Sequence, residues 1–121
     1  MKLSLAQALT VNNAIKNTPF KGTAVIDAAI NLVNLSVQMK VIDEIRIQLL
    51  GKHNNGEENF EKGSAKLTEF LAAFEECLKK DCEVVIKTIK LSSVDESRLS
   101  NHESLAELLK LGVIQDIEEK K

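Results

Sequence analysis

The chain has 121 residues, 44% hydrophobic and 28% charged, with a formal charge of −2. That length and composition support one folded core and argue against a natively unfolded polymer. Four Phe with no Tyr or Trp argue against an aromatic stacking surface for single-stranded nucleic acid, and the near-neutral charge gives no overall bias toward nucleic acid or anionic membrane.

Lys2 to Leu5 alternates and reads as a short first strand. Ser4-Leu5-Ala6-Gln7 fits a capping box, so a helix begins here and runs over 5–17, with Leu5, Ala8, Leu9 and Ile15 on one side. Pro19, the single proline, blocks its continuation, and Phe20-Lys21-Gly22 forms a turn.

The second helix, over 23–50, is the main feature. Thr23 is its N-cap, Asp27 sits where the helix dipole favours an acid, and Gly51 is placed to close it. One apolar stripe runs Ile26, Ile30, Val33, Val37, Val41. Another runs Ala28, Leu32, Leu35, Met39, Ile42, Leu49. Polar residues are confined to a narrow line, Asp27, Asn31, Asn34 and Gln38, and to a charged patch at Lys40, Asp43, Glu44 and Arg46. Stripes this wide predict burial on more than one side. A short chain has little left to cover the part centred on Leu32, Leu35 and Met39. Those three residues are expected to be exposed in a monomer and to pack against a second copy, in a homodimer or a higher oligomer. The polar interruptions from Ala24 to Leu35 argue against a membrane span.

Gly51 to Asn59 is a loop with Asn55-Gly56 as its turn signal. A third helix over 62–80, starting as early as Glu57 or at Ser64, carries Leu67, Phe70, Leu71, Phe74, Cys77 and Leu78. Glu75–Lys79 and Glu76–Lys80 form surface pairs on it. Glu83 to Leu91, EVVIKTIKL, is the best strand in the chain. A lone strand leaves its backbone unpaired. Lys2–Leu5, the same strand of another copy, or a partner protein must pair with it. Ser92 to Leu99 connects to a second capping box, Ser100-Asn101-His102-Glu103, which opens a helix over 101–111 with Leu105, Leu108 and Leu109. Gly112 ends it. Val113, Ile114 and Ile117 anchor the tail, and residues 115–121 fray. The resulting fold class is mainly α (α+β): one domain over 1–121, a long central helix in a small helical bundle, and a short two-stranded β element.

Sequence chemistry is sparse. Phosphate-loop, nucleophile-elbow, zinc-protease and dinucleotide motifs are missing, so the expectation is a non-enzyme without a cofactor. Cys77 and Cys82 read as reduced thiols of a cytoplasmic protein, and His53 and His102 do not complete zinc-finger spacing with them, so no metal site is expected. His53 reads as a solvated loop residue and His102 as an exposed first-turn residue. Asp43 and Arg46 read as a local ion pair at i,i+3. Lys87, Lys90 and Arg98 near the strand are too few to argue for nucleic acid.

The order of elements resembles a family of small phage and prophage proteins of unknown function. The likeness rests on the long helix with its charged end, MKVIDEIRIQLLGKH, on EVVIKTIKL after the third helix, and on SRLSNHESLAELLKLGVI beyond it. Glu44 stands two residues before Arg46, so an E-x-x-R spacing on the long helix is not reproduced. The resemblance implies a helical protein with one conspicuous strand, located in the host cytoplasm. It brings no catalytic residue. The functional expectation is protein–protein binding, as a virion assembly or structural factor or as a modulator of a host enzyme. The alternative is a small-ligand sponge or sensor, with Asn31, Asn34, Gln38 and Arg46 lining a pocket at helical spacing.

Overall fold

The computed structural model describes residues 1–116. Strand β1 (Lys2–Ser4) leads directly into α1 (Leu5–Lys16). The capping box forms as the sequence dictates: the Gln7 N–H donates to Ser4 Oγ at 3.1 Å, and the Ser4 N–H donates to Gln7 Oε1 at 2.9 Å. Buried Leu5, Ala8, Val11, Ala14 and Ile15 make α1 the inner layer of the molecule.

Helix α2 (Ala24–Asn54) runs four residues further than expected. Thr23 precedes it but makes no side-chain cap bond. Gly51 lies inside the helix rather than closing it. An interior Gly costs only about 1 kcal/mol relative to Ala, which the continuing contacts of the helix offset. The stop comes at Asn55 and Gly56, both left-handed, with φ 53° and 84°. The Gly56 N–H then closes on the Leu50 carbonyl at 2.9 Å. Helix α3 (Ala65–Leu78) starts at its Ser64 cap and packs along α2. Buried Phe70 sits between Phe60 and Phe74, with ring centroids 5.2 and 5.8 Å away. On its surface Lys79 pairs with Glu76 at 3.2 Å, three residues away.

The expected strand over 83–91 is two short strands with a gap. Strand β2 (Asp81–Glu83) pairs antiparallel with β1, Lys2 opposite Glu83 and Ser4 opposite Asp81. The partner foreseen for this segment, Lys2–Leu5, is therefore the right one for its start. Strand β3 (Ile89–Lys90) pairs instead with β4 (Ile114–Gln115), in parallel. Val84 to Thr88 belongs to neither ladder. Gln115 is thus held in a strand rather than frayed; Ile117 and the rest of the tail lie outside the described residues.

Helix α4 (His102–Lys110) is capped by Asn101, whose Oδ1 accepts from the Ser104 N–H at 3.0 Å, rather than by Ser100. Gly112, at φ 79°, ends it as expected. Leu108, Val113 and Ile114 from this end join Leu35 of α2 and Val11 of α1 in a single core. The architecture is mainly α with two minimal β ladders, organised around α2.

Candidate protein-binding face

Ala24, Ala28, Asn31, Leu35, Ile42 and Leu50 are the buried residues of α2. They fall on one side, with Ala28, Leu35 and Ile42 spaced by sevens. Leu35 is 0% exposed, and Leu32 and Met39 pack half-buried against the same core. The expected association stripe, Leu32, Leu35 and Met39, is therefore covered by the chain itself. Helices α1 and α4, strand β1 and the stretch from Val84 to Val94 supply that cover.

The surface left open is the other stripe. Ile26 is 60% exposed, Val33 67% and Val37 61%; Val41 borders the line, and Ile30 is half-buried within it. The spacing of 26, 30, 33 and 37 is the three-and-four alternation of a helix–helix seam. Past Val37 the seam turns polar, with exposed Lys40 and Glu44. Val85, 74% exposed, stands beside it because its carbonyl accepts from Asn34 Nδ2 at 2.9 Å.

The polar line of α2 has a different use from the one its spacing suggested. Asn31 is completely buried. Its Nδ2 donates to the Lys87 carbonyl at 3.0 Å, and the Lys87 N–H donates to its Oδ1 at 2.7 Å. A side-chain amide thus takes the place of a neighbouring strand's peptide. Asn34 holds Val85, and Asp27 faces the Lys87 ammonium at 3.8 Å. The line is a clamp for residues 85–87: outside the ladders, it takes up the Val85 carbonyl and both backbone groups of Lys87.

Arg46 lies further along. It donates to Asp43 at 3.1 Å, the foreseen local pair, and also to Glu58 at 3.1 Å, tying the following loop to α2. Those two carboxylates raise its pKa above the usual arginine value. Gln38 Oε1 is buried and unpartnered. Asn31, Asn34, Gln38 and Arg46 therefore do not converge on one cavity. Clefts among the described residues lie elsewhere. One of about 480 Å³ is lined by Asn54, Glu57, Asn59, Glu61 and Ser64, and another of about 250 Å³ lies between Thr23, Asp27, Thr88 and Ser92.

His53 is not a loop residue. It ends the last turn of α2, mostly buried, with Nδ1 4.0 Å from Glu69 of α3. His102 is exposed on the first turn of α4. Cys77 and Cys82 are free and half-buried. Burial, then Asp81 and Glu83, push the Cys82 thiol above its ordinary pKa. No group of three metal-ligating side chains occurs among the described residues.

By length and composition α2 could cross a membrane. The buried Asn31–Lys87 bonds and the packing on α1 and α3 instead fix one side of it within the protein. Comparison of the chain with protein-family models, curated proteins and solved structures finds no match.

Proposed function

We propose that the protein is non-enzymatic and acts by binding protein, with the outward face of α2 as its binding surface. One observation carries this reading: Ile26, Val33, Val37 and Val41 are exposed in a line on a helix whose opposite side is fixed in the core. Apolar surface held in water costs about 25 cal/mol per Å² relative to burial. Soluble monomers rarely keep a contiguous strip of this kind, and such strips mark association sites. The rigid backing matters equally, because a helix held by Leu35 and Asn31 has its backbone already ordered before binding. The resemblance to small phage proteins makes virion components and host enzymes the natural classes of partner, in the host cytoplasm.

A photo-crosslinking residue at Val37, introduced into the full chain in expressing cells, tests this. Protein adducts should form at Val37 and be far fewer from the exposed Lys110 on α4. Equal and low yields from the two positions would overturn the reading.

A further inference from the structure

We infer that the occupant of this face is a second copy of the chain, its α2 laid antiparallel about a twofold axis beside Val33. The inference rests on the reading of the face as a protein-binding surface.

The face is close to symmetric along its own length. Measured outward from Val33 and Asn34, Ile30 mirrors Val37 and Ile26 mirrors Val41. All four are aliphatic, and all but the half-buried Ile30 are exposed. A twofold contact requires such self-complementarity, because each residue meets its mirror position on the other copy. The charges obey the same mirror. Asp27 corresponds to Lys40 in height, on the opposite flank of the seam, so an antiparallel pair keeps the Lys40 side chains of the two copies apart along the helix. Glu44 corresponds to Thr23, which puts its carboxylate at the start of the other α2, where the helix dipole is positive.

A parallel pair reverses all of this. Lys40 would meet Lys40 and Glu44 would meet Glu44 in the seam, and the two dipoles would align. Lipid is also a poor fit. Helices that lie on membranes flank their apolar face with Lys and Arg, whereas here Lys40 is accompanied by Asp27, Asp43 and Glu44. Ser36 and Ala29, exposed next to the seam, let the two backbones approach. The apolar contact about this twofold is about 22 Å long, from Ile26 to Val41, and one helix wide, small by the standard of ~800 Å² per partner. The expected association is accordingly reversible, in the micromolar range.

The test uses the full chain. Sedimentation across the micromolar range should show a monomer–dimer equilibrium. Val37→Glu should abolish it without changing the circular dichroism of the monomer. Orientation is checked separately by cysteine pairing, with Cys77 and Cys82 replaced by Ser. A mixture of Ile30→Cys and Val37→Cys chains should oxidise to the mixed dimer in preference to either self-pair.

Predominant self-pairing at Ile30→Cys would overturn the antiparallel arrangement. A dimer indifferent to Val37→Glu would overturn the use of this face. A monomer up to several hundred micromolar would overturn self-association. In that last case, photo-adducts at Val37 to other proteins would leave the protein-binding reading standing, and co-flotation with anionic vesicles lost on Val37→Glu would overturn both.

Discussion

Leu35 and Val33 stand two residues apart on the same helix, both aliphatic, and one is sealed in the core while the other is two-thirds exposed. The contrast extends along α2. The inward side uses Ala28 and Leu35, packed in one core with α1 and the 84–94 stretch, and buried Ile42. The outward side uses mainly β-branched residues that cover nothing. Hydropathy treats the two sides alike. What separates them is Asn31, a polar residue lying on the inner side because it has a backbone to hold.

The largest test of this contrast is Leu35→Ala. It should cost ~2–5 kcal/mol in urea denaturation, the range for removing a fully buried leucine. Ile86→Asp follows. Ile86 is half-buried against the core, so a carboxylate there should cost ~2 kcal/mol and lower the melting temperature by several degrees; an unchanged melt would mean that 84–88 is not packed as described. Asn31→Ala leaves the N–H and carbonyl of Lys87 without their partner. A loss of ~1–3 kcal/mol is expected, with faster hydrogen exchange at the Lys87 amide. Asn34→Ala removes one exposed bond and should cost under ~1 kcal/mol. Smallest of all, Val33→Ser should shift monomer stability by no more than ~0.5 kcal/mol, measured dilute enough to exclude association. If Val33→Ser cost as much as Leu35→Ala, the two sides of α2 would not differ as the structure has them.

The local signals in the sequence were mostly sound. The Ser4–Gln7 box, the stop at Gly112, the Ser64 cap and the Asp43–Arg46 pair follow from short-range chemistry, and each is present. The errors came where a remote part of the chain decides. Asn31, Asn34 and Gln38 suggest the polar lining of a pocket at helical spacing, yet Asn31 turns inward to bind Lys87, 56 residues away. Asn31 and Leu35 are buried on the same side of α2, with Leu32 and Met39 packed half-buried beside them, so that stripe is core and near-core. Composition also favoured an unbroken strand over 83–91. Periodicity does not reveal that side-chain amides, rather than a neighbouring strand, satisfy its middle. Asn55 rather than Gly51 ends α2 because the left-handed pair Asn55-Gly56 closes on Leu50, whereas Gly51 merely permits a stop.

The amide clamp on Lys87 also sets an order of events in time. Residue 31 can meet residue 87 in the right geometry only after α2 exists as a helix, since Asn31 and Asn34 reach along one edge only once a turn of helix separates them. Closing a 56-residue separation is entropically slow compared with forming a local helix. The 84–88 segment should therefore dock late, on a surface already made. Until it does, a β-branched stretch with unpaired backbone is available to other chains, the condition under which such segments aggregate. Slowing this docking, as Asn31→Ala would, should lower the yield of refolding at high protein concentration well before it unfolds the finished protein.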